Sequence, residues 1–312
     1  MTAQLPSLPY DEWVATKDTL HLYAQVLGKV RLAATPMRNH WWNVPLYVTA
    51  RGVTTGALHL DGTDFDIELD VLENVVVFRT DDGSFRRLVL HDGLAVADFW
   101  RGTIDLLAEL GLHPDLVPTP FGVPMTTPFP DDVEHATYDA DAVRRWWTVL
   151  RWNHRVLSEF AGWFCGKASP VHLFWHSFDL AHTRFSGRRA PVSPDADPVT
   201  AQAYSHEAIS FGWWAGDART PFPAYYSYTA PEPEGLADHR LRPDAAEWQP
   251  SGDSGHLALL RYEDVRTAVD PERLLLDFLQ SAYEAGATAA GWDVADLTTD
   301  WCPVPPPRRL GT

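Results

Sequence analysis

Trp42-Asn-Val-Pro-Leu-Tyr-Val-Thr-Ala-Arg51 and Trp175-His-Ser-Phe-Asp-Leu-Ala-His-Thr-Arg184 decide how this chain is read. Both run from a tryptophan to an arginine over the same spacing. Each follows a helix-like segment with a Gly-Lys pair, Gly28-Lys29 in one case and Gly166-Lys167 in the other. The chain has only three lysines, and two of them sit in these pairs. In the first stretch Trp42, Val44, Leu46, Val48 and Ala50 alternate with Asn43, Tyr47, Thr49 and Arg51, the period of a half-buried strand. The match predicts an internal duplication. The fold class that follows is α+β, with two pseudo-symmetric halves, each an antiparallel sheet with flanking helices. The halves span residues 10–125 and 135–296, and a Pro-rich tail spans 297–312.

Working outward, Leu20, Tyr23, Leu27, Val30 and Ala34 share a helix face that ends before Pro36. Phe65, Ile67, Leu69 and Val71 alternate with Asp64, Asp66, Glu68 and Asp70 as a strand, and Asp81-Asp-Gly83 reads as a hairpin turn. Val96 to Leu110 closes the first half as an amphipathic helix, giving helix, four strands, helix. A proline-rich connector from Pro114 to Pro130 follows. The second half repeats the order: a helix over 141–164, a strand over 171–185, further strands at 204–214, 223–229 and 256–260, and a helix opened by Asp270-Pro271. Asp98-Phe99 and Asp277-Phe278 stand in the last helix of each half. Gly28 and Gly166 are read as close contacts between helices across the pseudo-twofold.

The chain has 312 residues, 45% of them hydrophobic, and 14 tryptophans, which is ample for a packed core or an aromatic-walled cleft. A formal net charge of −17 disfavours nucleic acid and anionic membrane surfaces as partners. Met1 to Pro9 show no basic and apolar leader pattern, and no run is long enough to span a bilayer. Cys165 and Cys302 form neither a disulfide framework nor a zinc-ribbon spacing. A cytoplasmic location is the resulting expectation.

Read as one strand, residues 171–185 place His172, His176, His182 and Arg184 on one face and Trp175 with Asp179 on the other. The histidines are candidates for proton transfer or for a divalent metal, with His206 and Glu207 as the second source of ligands. Two residues four apart on a strand lie about 13 Å apart, so His172 and His176 cannot share an ion. The competing reading makes these histidines ordinary bonded polar fillers. Asp179 is read as a buried or pKa-shifted carboxylate with Lys167 as its counter-ion. Arg184 suits an acidic group of a ligand, whereas its counterpart Arg51 is read as a partner of the acidic strand. Asn39, His40, Trp42 and Asn43 form a donor-rich segment that suits either a ligand wall or a helix cap.

These residues carry a resemblance to a bacterial family known as domain of unknown function 5996. The segments are Asn39-His40-Trp41-Trp42-Asn43, Ser169-Pro170-Val171-His172, Ser177-Phe178-Asp179-Leu180, Thr183-Arg184-Phe185-Ser186-Gly187-Arg188 and Tyr204-Ser205-His206-Glu207. The resemblance spans about Tyr10 to Trp292 and implies no activity. The family's pattern does not call for histidine at 176 and 182, which leaves His172, Asp179, Arg184, His206 and Glu207 as the favoured site. The functional expectation is a small-molecule enzyme. Its pocket has aromatic walls, His172 or His206 moves protons, and Arg184 holds an acidic ligand. A divalent metal at His172 and His206 is a possible cofactor. The alternative is a non-catalytic ligand-binding or scaffold protein whose polar residues pair with one another. Oligomeric state is not readable.

Overall fold

The computed structural model describes residues 5–191, 195–252 and 255–299. The expected Pro-rich tail from residue 300 on, Cys302 with it, and the middle of the 191–198 loop lie outside the described residues.

The chain opens with α1 (Tyr10–Ala33), whose first turn carries Asp11 and Glu12 at the positive end of the helix dipole. Trp13 and then almost every residue from Thr16 to Arg31 is buried. A helix enclosed all round has no solvated stripe, so its polar side chains must find partners inside the protein. That requirement shapes the cleft described below.

The first sheet follows: β1 (Tyr47–Val48), β2 (Gly52–Thr54), β3 (Leu58–Leu60), β4 (Thr63–Asp70), β5 (Val75–Thr80) and β6 (Phe85–Val89). Its order is β1-β2-β4-β5-β6, with β3 also on β4, and every pairing is antiparallel. α2 (Val96–Glu109) closes this half. The second half starts with α3 (Ala140–Ala161), capped by Asp139, whose carboxylate accepts from the Asp141 amide at 2.9 Å and the Ala142 amide at 3.1 Å. Its strands are β7 (His172–Phe174), β8 (Asp179–Arg189), β9 (His206–Trp214), β10 (Ala224–Ala230), β11 (Glu247–Ser251) and β12 (Gly255–Arg261). They form an antiparallel sheet ordered β11-β12-β10-β9-β8-β7. Short helices α4 (Pro198–Ala203) and α5 (Tyr262–Arg266) are inserted, and α6 (Pro271–Ala289) ends the half.

The α+β class in two halves, each with an antiparallel sheet and helices, is what the structure shows. Each sheet has six strands rather than four. The expected match of Trp42 with Trp175 is not seen. Trp42 follows a single 3-10 turn (Asn39–Trp41) and precedes β1, whereas Trp175 opens the turn after β7. The two halves are joined at the centre by Leu46 and Leu173, whose backbones exchange two N–H···O bonds of 2.8 Å. A reciprocal exchange of this kind is the narrow pair of an antiparallel bridge. The equal Trp-to-Arg spacing therefore does not mark equivalent positions in the two halves. Gly28 and Gly166 do not mediate helix–helix contact either: a Cβ on Gly28 would overlap the Trp175 indole, and Gly166 lies in a loop after α3.

The two sheets are each backed by helices. On the first, Phe65, Ile67, Leu69, Val76 and Phe78 turn inward and are buried. On the second, Leu180, His182 and Arg184 turn toward α3 and α6, where Phe160 and Tyr283 meet them. The opposite faces of the sheets are chemically unlike each other, and the second one holds the cleft.

Candidate binding cleft

The expected single strand over 171–185 is broken. Trp175 to Phe178 form a four-residue turn, with Phe178 at φ 58° and its amide on the Phe174 carbonyl at 2.7 Å. The hairpin register pairs His172 with Ala181 and Phe174 with Asp179. An even-length turn sets even-numbered residues of one strand beside odd-numbered residues of the next, so side chains assigned to one face of a continuous strand separate. Asp179, Ala181, Thr183 and Phe185 thus face away from the helices, and His182 and Arg184 face them.

The odd-numbered face of β8 is the floor of a cleft of about 940 Å³. Its walls are aromatic: Trp41 and Trp42, Phe121, Phe174, Trp214, Tyr226 and Tyr228. The polar groups converge on one place. The Asp179 carboxylate, 8% exposed, accepts hydrogen bonds from the Ser177 hydroxyl and the Tyr226 hydroxyl. Tyr226 reaches it because β9 has Gly212 opposite, and a Cβ there would fall 2.4 Å from the tyrosine ring. Burial, with the Asp179 charge adding to it, holds the Tyr226 phenol well above its usual range, so it stays a donor. Thr183 and Ser210 hydroxyls lie 3.0 Å apart along the floor, and those of Tyr204 and Tyr228 lie 3.0 Å apart at the rim.

The buried polar side chains of α1 hold this cleft in shape. His21 Nε2 donates to the carbonyls of Trp175 at 3.0 Å and His176 at 3.2 Å, pinning the turn that precedes Asp179. Its ring stacks on Phe178 at 4.9 Å, and Trp146 stacks on the other partner face at 5.1 Å. Gln25 clamps the connector by donating to the Phe121 carbonyl at 3.0 Å and accepting from its amide at 2.9 Å. Burial pushes the His21 imidazole down to about 3, so it works as a neutral donor. His176, half-buried at the cleft edge, is pushed down by burial and pulled up by the Asp179 charge.

A strap from the first half crosses the cleft. His40 and Trp41 both have positive φ, 56° and 59°, a conformation that costs about 1 kcal/mol or more for each such residue. The strap is held to α4 by Trp41 Nε1 on the Val199 carbonyl at 3.2 Å and His40 Nδ1 on the Ala203 carbonyl at 3.0 Å. Lys167 Nζ donates to His40 Nε2 at 2.7 Å, so the imidazole is neutral and fully used. Burial lowers its pKa, and the Lys167 ammonium lowers it further. Lys167 therefore serves His40 and does not neutralise Asp179.

Of the residues singled out from sequence, His40, Trp42 and Asp179 line the cleft. Asn39 is exposed, and Asn43 is 1% exposed and accepts from the Arg38 amide at 3.3 Å, closing its own loop. Arg184 is not an anion anchor: it is 1% exposed, donates to the Phe160 carbonyl at 2.5 Å and lies 3.7 Å over the Phe160 ring. Burial pushes its guanidinium down to about 9. Glu207 is held by Arg188 at 2.7 Å and Ser186 at 2.8 Å. His172 is 1% exposed against Tyr47 and Phe174 with neither ring nitrogen hydrogen-bonded, and burial pushes it down to about 3. His206 sits at the rim, its ring 5.4 Å from that of His40. The strand partners of His172 and His206 are Ala181 and Arg189, which lie roughly 25 Å apart along β8 at the usual rise. His172 and His206 therefore cannot share a metal or a substrate atom. Among the described residues no group of three or more histidine, cysteine, aspartate or glutamate side chains could hold a metal ion.

The cleft thus exists, but His172, Arg184 and His206 do not line it. The residues that sequence reading missed are Tyr226 and Tyr228 of the alternating segment 224–228, with Trp214, Ser210 and Phe121. Tyrosines at 226 and 228 share a strand face, which was the one available signal. His176, set aside in favour of His172, does line the cleft.

Among the described residues no helix is long and apolar enough to cross a membrane. No curated protein and no solved structure matches the chain. A family profile described as Family of unknown function (DUF5996) matches residues 5–299, nearly the whole chain, and the protein belongs to that family.

Proposed function

We propose that this protein binds a small organic molecule in the cleft on the open face of its second sheet, and that its function is exercised there. The observation that carries the reading is the convergence of Ser177, Asp179 and Tyr226 at one point of an otherwise aromatic hollow of about 940 Å³. Pockets of that size with few convergent polar groups are the usual form of small-molecule sites. The strained His40–Trp41 strap and the α1 side chains spent on the turn and on Phe121 support it, because strain and buried polar clamps concentrate where geometry must be held.

An enzymatic form of this reading is favoured by His176. A neutral imidazole at the cleft edge, in the field of a carboxylate, suits proton transfer to or from a bound molecule. His176 and Asp179 take the place that sequence reading gave to His172, His206 and Glu207.

The test is a thermal-shift screen of small organic compounds against the protein and against Thr183→Trp, which fills the floor without touching Asp179. Compounds that raise the melting temperature of the parent and not of the variant are expected. A screen in which every stabilising compound acts equally on both proteins would remove the cleft from consideration.

A further inference from the structure

The acidic and basic side chains that line the cleft, histidine apart, are all carboxylates. Three carboxylates line it, those of Asp179, Asp197 and Asp217, and among the described residues no lysine or arginine does. Two of the three are committed to backbone. Asp197 caps α4 by accepting from the Val199 and Thr200 amides, and Asp217 accepts from the Arg219 and Thr220 amides at 2.8 Å. Both are exposed. Asp179 is the exception, being 8% exposed with only hydroxyls bonded to it. Among the described residues it forms no ion pair.

A buried carboxylate without a countercharge is costly, and removing that cost takes a proton or a cation. Each carboxylate oxygen has two lone pairs, and a single hydroxyl donor leaves one of them on each oxygen of Asp179 for another donor. The rings around it are suited to the same guest. Tyr226 has its centroid 5.6 Å from that of Trp214 and stacks at 6.1 Å on Tyr228, while Phe174 is the register partner of Asp179. Aromatic faces are electron-rich and attract ammonium groups, most strongly where water is excluded. An anionic ligand would meet three carboxylates, no guanidinium, and one nearby ammonium, Lys167, already bonded to His40.

We propose that the ligand of this cleft is a protonated amine on an aromatic or apolar body, with its ammonium donating to Asp179 and its body lying between the rings. This rests on the small-molecule reading of the cleft and specifies the chemical class.

The test uses matched trios that differ only in charge: phenethylamine, 2-phenylethanol and phenylacetate, then tryptamine, tryptophol and indole-3-acetate. Binding to the full chain is measured at pH 7 by saturation-transfer NMR and calorimetry. The amine of each trio is expected to bind at least tenfold more tightly than the alcohol, with the acid weakest. In Asp179→Asn the amine should fall to the level of the alcohol, while the alcohol stays within twofold of its affinity for the parent. Circular dichroism checks that the variant is folded, and the parent series decides the matter if it is not. Equal binding of amine and alcohol, or preference for the acid, overturns the amine proposal and leaves the cleft reading standing. Silence of every compound in both trios overturns the cleft reading and the amine proposal together.

Discussion

The open faces of the two sheets both carry strand-borne carboxylates, and they treat them in opposite ways. On the first sheet Asp66 and Glu68 are bridged by one guanidinium, Arg79, at 2.8 and 2.7 Å, and Arg51 bonds Asp70 and Glu73. Each of these four acids has a guanidinium one strand or one turn away, so none of them is without a countercharge. On the second sheet Asp179 has only hydroxyls and rings. The inner faces differ in the same sense. The first is apolar, while the second buries His182 and Arg184. The lesson is that a carboxylate on a strand carries no functional meaning by itself. Its partners decide, and they are supplied by other strands.

The largest effect that probes this difference is acid sensitivity. His21, His172 and His182 are buried and held down to about 3, mainly by loss of solvation. Their unfolded values lie near 6.5, so below that pH the unfolded chain binds more protons and stability falls with pH, until about pH 3 where the folded state is protonated too. Three such groups give a slope of about 4 kcal/mol per pH unit in that window. Denaturant titrations between pH 7 and pH 4.5 are expected to show it. His172→Phe, which loses no hydrogen bond, should reduce the slope by about a third and leave stability at pH 7 nearly unchanged. A slope unaltered by that substitution would show that burial does not hold His172 neutral in the folded chain.

Next in size is Gly212→Ala. The added methyl meets the Tyr226 ring and the Leu180 carbonyl oxygen, and the expected cost is about 2–3 kcal/mol, seen as a lower urea midpoint. Because Tyr226 must move, amine binding should weaken with it. Unchanged stability would mean that Tyr226 is not seated as described.

The smallest effects give the most direct comparison, since the two carboxylates should respond with opposite signs. Glu68→Gln removes a partner of Arg79 and is expected to destabilise by about 1 kcal/mol or less. Asp179→Asn removes an uncompensated charge while an amide can still bond Ser177 and Tyr226, so it is expected to leave stability unchanged or to raise it by about 1 kcal/mol. Equal destabilisation by both would show that Asp179 is compensated as fully as Glu68 is.

Much of the framework was readable in the chain. The period-two alternation of Phe65, Ile67 and Leu69 with acids gave β4, and the apolar positions of residues 96–110 gave α2. Asp270-Pro271 marked the start of α6. The site was less readable, for a physical reason visible at residues 175–178. Trp, His, Ser and Phe are compatible with a strand, so nothing in the local sequence announces the turn that reverses the facing of everything after it. One misplaced turn assigned Arg184 to a ligand and Asp179 to the core, when each belongs on the other side.

What the sequence determined by itself is the α+β class, the division into two halves and the aromatic supply for a cleft, because alternation, capping and composition act over a few residues at a time. What only the tertiary structure decided is which face of the second sheet stays open, and that Tyr226 arrives over Gly212 to meet Asp179. It also decided that α1 of one half pins the turn of the other. Those facts depend on strand register and on which helices cover which face, and both are set by contacts between residues far apart in the chain.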